Sequence, residues 1–296
     1  MPETCDLLII GTGIAGLSAA RQALRDGLTV AAMEGLFFGG LVTNINELDG
    51  EITGSGSDVA AGLMMEISKM GVKNIAATAS SIERQGDCAI VKSDAGSHAA
   101  RSVIVASGAR LRRLGVPGEA ELEDKGVSHC ADCDGPFYQD QDVVVVGGGD
   151  SALQEALVLS EFARTVHLLH RGAQFRAQQR LVDRLSSHAN VSVRFQASVE
   201  AVLGEDAVRA VRVRGSGEEI ACSGLFAYIG LEPATEFVPA SFKRDDGGFL
   251  ITDSSLHTGM PGVYAAGAVR SGYGGLLTHA MAEGVAAARA AQGFLR

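Results

Sequence analysis

One structural unit occurs twice in this chain of 296 residues, and it constrains the fold more than any other feature. The first copy opens with the apolar run Leu7-Leu8-Ile9-Ile10 and continues into Gly11-Thr12-Gly13-Ile14-Ala15-Gly16. Helical spacing follows over residues 17–26, then a second apolar run over 28–33 that ends at Glu34. The second copy opens with Val143-Val144-Val145-Val146 and Gly147-Gly148-Gly149-Asp150-Ser151-Ala152. It continues as a helical stretch over 153–162 and a strand-like run over 165–169 that ends at His170-Arg171. Gly11 lies 23 positions before Glu34, and Gly147 lies 23 positions before His170. A strand, glycine turn, helix and second strand of this length makes a right-handed parallel crossover, so both copies demand a parallel sheet covered by helices. The glycines permit the tight turn, a close approach to a pyrophosphate and close helix–strand packing, with helix N-terminal amides facing the anion. A lone G-x-G-x-x-G carries little weight; framed by strand, helix and terminal polar residue, it predicts a dinucleotide site at each copy.

The two copies end in different chemistry. Glu34 suits a free ribose 2′-hydroxyl and repels a 2′-phosphate, whereas His170 and Arg171, with Arg176 five residues on, suit that phosphate through charge-assisted hydrogen bonds. The first unit is therefore assigned to FAD and the second to NADPH; solvated surface charge is the competing reading of the two arginines. The formal charge of −10 argues against nucleic acid or an anionic membrane as partner, since either wants a basic patch. No apolar run approaches the ~20 residues needed to span a bilayer. The start, Met1-Pro2-Glu3-Thr4-Cys5-Asp6, lacks the basic segment of a signal peptide. Five cysteines with a single close pair do not form a secreted disulfide framework, so a cytoplasmic enzyme is expected.

That close pair is Cys130-Ala131-Asp132-Cys133, followed by Asp134-Gly135-Pro136. Beside dinucleotide units, Cys-x-x-Cys reads as a redox motif. A zinc clip wants about four ligands, and only His129 lies near; a merely structural disulfide is the other alternative. Asp132 between the thiols raises their pKa by like-charge repulsion, or else points to solvent. Asp134 reads as a proton carrier or as a helix cap. His129 reads as a thiolate partner or, since neighbouring side chains diverge, as a packed residue. Cys5, Cys88 and Cys222 lie in or beside apolar strands and read as inert thiols.

Elsewhere, Gly39-Gly40-Leu41 starts a loop near where a flavin ring extends, residues 50–56 are glycine-rich, and residues 59–70 have helical periodicity. Residues 73–110 read as a small β-meander ending in a buried strand and Ser107-Gly108-Ala109, where a glycine again admits a ligand. Residues 249–251 and 263–267 read as strands, and an alanine-rich helix over 277–291 closes the chain, with His279 near its start. The expected architecture is α/β, with two Rossmann-like three-layer domains. An FAD domain over 1–114 and 243–296 is interrupted by an NADPH domain over 115–242 that carries the cysteine pair.

The order of these parts resembles the low-molecular-weight bacterial thioredoxin reductases, within the pyridine nucleotide-disulfide oxidoreductases. Gly11–Gly16 is similar to that family's FAD loop. The run Gly126-Val127-Ser128-His129-Cys130-Ala131-Asp132-Cys133-Asp134-Gly135 is similar to its redox segment, and Val146 to Ala152 with Val166 to Arg171 is similar to its NADPH half. Pro261-Gly262-Val263-Tyr264-Ala265-Ala266-Gly267 is similar to its flavin-side closing motif. The resemblance implies a homodimer in which electrons pass from NADPH through FAD to Cys130–Cys133 and on to a thioredoxin-like protein or a small disulfide. It implies rotation of the NADPH half, Cys133 facing the flavin, Cys130 attacking the external disulfide, and Asp134 moving the proton. FAD contacts are then expected at Gly11, Gly13, Ile14, Ala15, Gly16, Glu34, Gly40, Leu41, Gly108, Gly267 and Ala268. NADPH contacts are expected at Gly147, Gly149, Asp150, Ser151, His170, Arg171 and Arg176.

The chain departs from the family pattern in several places. Ala268 replaces an aspartate that contacts the ribityl chain, Gly275-Leu276 replaces an Arg-Gln pair, and Gly172 replaces a second arginine. Residues 41–56 lack the usual Gln and Trp-Pro-Gly signals, and His129 stands where an aromatic is common. Two other readings therefore stay open: a dithiol oxidase of similar fold that passes electrons to oxygen, and a non-catalytic flavoprotein redox sensor.

Overall fold

The computed structural model describes residues 4–45, 48 and 52–296. Residues 1–3, part of the N-terminal reading, and residues 50 and 51 of the glycine-rich stretch lie outside the described residues. The chain forms two compact units, one of residues 1–110 with 232–296 and one of Leu111–Leu231. The crossings between the units fall after Arg110 and after Leu231, against the expected 114 and 242. Residues 232–242 belong to the outer unit because Val238 and Phe242 are buried in its core beside Leu8, Val103 and Val263.

In the outer unit, β1 (Cys5–Ile10) leads through the first glycine loop into α1 (Ile14–Arg25) and β2 (Val30–Glu34). After α2 (Gly56–Lys69) comes β3 (Lys73–Ala76), and then β4 (Ala79–Gln85), β5 (Cys88–Ser93) and β6 (Gly96–Val105). The strand order β3-β2-β1-β6 is parallel throughout. The expected meander thus begins one strand late. β3 follows a helix and crosses over to lie parallel to β2, and only β4, β5 and β6 run antiparallel.

Both faces of β1 are buried, as in a doubly covered parallel sheet. Leu7 and Ile9 face α1, while Leu8 and Ile10 face the opposite core. Full burial of such a side chain is worth about 1.5–3 kcal/mol.

The chain crosses to the inner unit through β7 (Ala109–Leu111). The inner sheet is built from β8 (Val127–Ser128), β9 (Asp142–Gly147) and β10 (Thr165–His170), with one-turn helix α3 (Ala131–Asp134) after β8 and α4 (Asp150–Ser160) after β9. It continues with α5 (Gln179–Ser186), β11 (Val191–Phe195), the antiparallel trio β12 (Val199–Gly204), β13 (Val208–Val213) and β14 (Glu219–Ala221), and β15 (Gly224–Tyr228). The five parallel strands take the order β11-β10-β9-β15-β8. One face packs on α4 and α5 through Leu153, Leu157, Leu181 and Leu185, and the other on the antiparallel trio through Val199, Val202 and Val211.

The return crossing is β16 (Leu231–Pro233), which pairs with β7, and the outer unit is completed by β17 (Val263–Ala265) and α6 (Leu277–Leu295). β17 adds in parallel to the second half of β6, whose first half pairs with β5. The strand expected over 249–251 is reduced to Leu250, which makes single-residue bridges to Arg244 and Arg270. Among the described residues no helix is long and apolar enough to cross a membrane.

Candidate active site

The first glycine loop is shaped by backbone that leaves no room for a side chain. Gly11 sits at φ +97°, and a Cβ there would lie 2.4 Å from the Ala106 carbonyl oxygen. A Cβ on Gly16 would lie 2.0 Å from the Gly11 oxygen. Gly13, which precedes α1, has no neighbour nearer than 3.7 Å to an added Cβ, so the helix entrance is open on that side. Ile14 and Ala15 follow, buried in the first turn of α1. Glu34 closes the circle: its Oε2 accepts from the Thr12 amide at 3.0 Å and the Thr12 hydroxyl at 3.2 Å, and its Oε1 accepts from the Gly35 amide at 3.0 Å. The carboxylate is thus pinned at the mouth of the loop by protein donors.

The remaining outer-unit candidates lie in loops at the same end of the parallel strands. The Gly39 amide donates to the Thr12 carbonyl, bringing the Gly40 and Leu41 turn beside the glycine loop. Gly108, at φ +69°, follows the buried end of β6 with nothing within 4 Å of an added Cβ. Gly267 sits at φ +79°, and an added Cβ would lie 2.7 Å from the Ala15 Cβ, against α1. Its amide donates to Glu283 at 2.8 Å, and Arg270 closes on the same carboxylate at 2.7 and 3.1 Å. Ala268, half-buried, stands beside this ion pair with no polar atom to offer. The cradle fits a dinucleotide: tight glycines, an open helix entrance and a fixed carboxylate surround it. His279 is exposed, with its ring against Gly274.

The second loop repeats the steric logic in the inner unit. A Cβ on Gly147 would lie 2.4 Å from the Tyr228 oxygen, whereas one on Gly149, at the entrance to α4, would meet nothing within 4 Å. Asp150 is turned sideways, accepting from the Gln178 amide at 2.8 Å and its side chain at 2.6 Å, and Ser151 is exposed. His170 does not face outward. Its imidazole is buried between Gly148 and Gly172, where added Cβ atoms would lie 2.2 and 2.7 Å from the ring, and its Nε2 is 3.0 Å from the Gln174 oxygen. That packing also accounts for Gly172, since a side chain there would press on the ring. Arg171 and Arg176 are exposed, and the Arg176 amide donates to the Gly148 oxygen at 2.8 Å. The positive charges beside this loop are therefore the two exposed arginines, whose guanidinium groups are suited to charge-assisted hydrogen bonds with a phosphate.

Cys130 and Cys133 form a disulfide with a Cα separation of 5.3 Å. Cys130 precedes α3 with its sulfur accepting from the Cys133 amide at 3.2 Å; Cys133 is exposed and Cys130 half-buried. Asp134 closes that turn rather than capping it: it accepts from the Ser128 hydroxyl at 2.6 Å, and the same hydroxyl receives the Cys130 amide at 3.2 Å. His129 is paired with Glu123, its Nε2 lying 3.0 Å from Oε1, with Arg113 at 3.5 Å from the other oxygen.

Beneath the turn lies a residue that the motifs do not reveal. Glu155 Oε2 accepts from the Ala131 amide at 3.1 Å and from the Tyr228 hydroxyl at 3.2 Å. Burial, offset in part by the Ala131 amide, pushes its carboxyl up to about 7, and Asp132 adds to the rise. The signal available in the sequence was a glutamate three residues after Ala152 and four before Leu159, on the apolar face of α4. Of the other thiols, Cys222 is buried and pushed up to about 12 by desolvation, while Cys5 and Cys88 are half-buried. Among the described residues no three His, Cys, Asp or Glu side chains gather as metal ligands.

The family model for the pyridine nucleotide-disulphide oxidoreductases matches residues 5–284. The chain is 35% identical to the thioredoxin reductase of Treponema pallidum over 303 aligned residues, covering 100% of this chain and 98% of that protein. The crystal structure of Lactococcus lactis thioredoxin reductase superimposes with a TM-score of 0.92 at 33% identity, covering 98% of this chain and 99% of that one. The thioredoxin reductase of T. acidophilum does so with a TM-score of 0.91 at 30% identity, covering 98% of each chain.

Proposed function

The chain belongs to the pyridine nucleotide-disulphide oxidoreductase family, and from that premise we propose an FAD-dependent disulfide reductase driven by NADPH. Its electrons leave through Cys130–Cys133 to a thioredoxin-like protein or a small disulfide. The observation that carries the reading is the closed Cys130–Cys133 disulfide on a one-turn helix, in the same unit as a second glycine loop flanked by Arg171 and Arg176. The flavin, when bound, supplies the two-electron relay between a nicotinamide hydride and a disulfide.

The chain's own residues do the rest. Gly11, Gly13 and Gly16 admit the pyrophosphate, and Glu34 orients the adenosine ribose of FAD, with Gly40, Leu41, Gly108, Gly267 and Ala268 along the rest of the molecule. Gly147, Gly149, Asp150 and Ser151 line the NADPH loop, while Arg171 and Arg176 select the 2′-phosphate by charge-assisted hydrogen bonds; His170 shapes the loop from beneath. Cys133 faces the flavin, Cys130 attacks the external disulfide, and Asp134, held by Ser128, moves the proton. The enzyme is a homodimer acting in the cytoplasm.

Anaerobic titration of the purified protein with NADPH and NADH, followed by a panel of disulfides, tests the reading. NADPH bleaches the flavin band at lower concentration than NADH and exposes two new thiols, which a thioredoxin-like disulfide then consumes. Oxygen uptake with a dithiol and no response to NADPH would make the protein a dithiol oxidase instead.

A further inference from the structure

Glu155 takes no part in the steps above, yet its carboxyl lies directly under the redox turn. Its Oε2, the Tyr228 hydroxyl and the Ala131 amide form a closed triangle with sides of 3.1, 3.2 and 3.2 Å. Ala131 is fully buried and follows Cys130 in the chain, and the Cys133 amide reaches back to the Cys130 sulfur. A charge on Glu155 is thus tied by one peptide unit to the sulfur pair. We infer that Glu155 is the proton-holding residue coupled to this pair, taking one proton when the disulfide is reduced and releasing it on re-oxidation. The inference rests on the reading of Cys130–Cys133 as redox-active.

The physical reason is charge repulsion in a poorly solvated place. A dithiol donor becomes its disulfide and gives up two electrons and two protons. The electrons break the Cys130–Cys133 bond; one proton binds one sulfur, and the other sulfur stays a thiolate. That adds a negative charge beside the Glu155 carboxylate, which raises its proton affinity, so the second proton goes to Glu155. In the disulfide state burial already places this carboxyl at about 7, within reach of neutral pH.

The surrounding groups favour this assignment. From β15, Tyr228 is pushed well up by burial and by Glu155, so it stays protonated, donating to Glu155 and accepting from the Ala131 amide. From the redox turn, Asp132 raises the Glu155 carboxyl further, while Asp134, held by Ser128 of β8, serves the proton that binds sulfur. On α4 itself Asp150 is bonded to Gln178 and Glu161 lies beyond the helix C-terminus, and α5 meets α4 through the apolar Leu181 and Leu185.

The test measures the equilibrium of the full-length protein with dithiothreitol from pH 6 to 9, reading Cys130 and Cys133 by alkylation and peptide mass. Glu155→Gln keeps an acceptor for Ala131 and Tyr228 but holds no proton. The ratio of the variant's reduction constant to the wild type's stays flat below pH 7. Above it the ratio climbs by up to tenfold per pH unit, about 30 mV for a two-electron couple. Parallel curves across the range would overturn the inference while leaving the redox reading intact; a wild-type protein that gains no thiols overturns both. Should Glu155→Gln fail to fold, reduction of the wild type at pH 8 is followed by infrared difference spectroscopy. A protonated-carboxyl band that appears on reduction, and moves in Tyr228→Phe, supports the assignment; no such band overturns it.

Discussion

A buried carboxyl with a raised pKa is a liability to the fold as well as a proton store. Glu155 titrates near 4.5 when the chain is unfolded and near 7 when folded, so between those values the folded state binds the extra proton. Its contribution is full below about pH 4.5 and fades as pH rises through 7; once ionised, the native state has lost about 3 kcal/mol relative to the protonated form. Glu155→Gln is therefore expected to match the wild type at pH 4.5 and to exceed it by up to about 3 kcal/mol at pH 8, measured by denaturant unfolding of the oxidised protein. A variant that loses stability equally at both pH values would show that the hydrogen bonds, not the charge, dominate there.

At this scale the sequence was legible where a residue's role is steric and local. Gly11 and Gly16 follow from the loop they build, and Cys130 and Cys133 from their spacing. Glu155 was not legible, because its partners lie 24 positions away at Ala131 and 73 away at Tyr228. His170 was misjudged in direction for a related reason: the rings that enclose it, Phe175 and Phe195, come from beyond its own motif.

Among the elements, the α1–α6 crossing shows how small residues fix a geometry. Gly284 lies on α6 where an added Cβ would stand 2.1 Å from the Ala15 carbonyl oxygen and 3.1 Å from the Ala19 amide nitrogen, both backbone atoms of α1. Gly62 lies exposed in mid-α2 with nothing within 4 Å of an added Cβ. The same substitution should act with opposite sign at the two sites. Gly62→Ala gains up to about 1 kcal/mol of helix propensity. Gly284→Ala gains the same propensity but forces the helices apart, for a net loss of about 1–3 kcal/mol. Thermal unfolding decides it, with Gly62→Ala melting above the wild type and Gly284→Ala below it.

Element identities were readable in the sequence wherever hydrophobic period and a glycine punctuation coincide, as in β1, α1, β9 and α4. Pairing was harder to read. β3 has the alternation of its meander neighbours, but the preceding α2 makes it a parallel crossover strand. Near Leu250 an apolar triplet had the local look of a strand, but it makes only single-residue bridges, to Arg244 and Arg270.

For the whole molecule, the two units differ in how much of themselves they own. Leu111–Leu231 is continuous, roughly 120 residues long and of ordinary single-domain size, with its ends at the paired strands β7 and β16. Its parallel sheet is covered on one face by α4 and α5 and on the other by its own antiparallel trio. The outer unit is divided. Residues 1–110 supply β1 to β6, but α1 would bare Ala15 and Ala19, which α6 buries, and β6 would lose β17. The boundary inferred from sequence at residue 242 missed this division because 232–242 has no strand pattern; its membership is set by Val238 and Phe242 reaching a core built from the first hundred residues. Expressed alone, Leu111–Leu231 is expected to fold cooperatively and to show two thiols only after reduction of Cys130–Cys133, beyond the one from Cys222. Residues 1–110 alone are expected to stay unfolded, and to gain structure only when residues 232–296 are added in trans. Circular dichroism and thiol titration of the three fragments check this. A folded 1–110 fragment would mean that the first glycine loop and its sheet are self-sufficient, and that α6 is an addition to the core rather than a part of it.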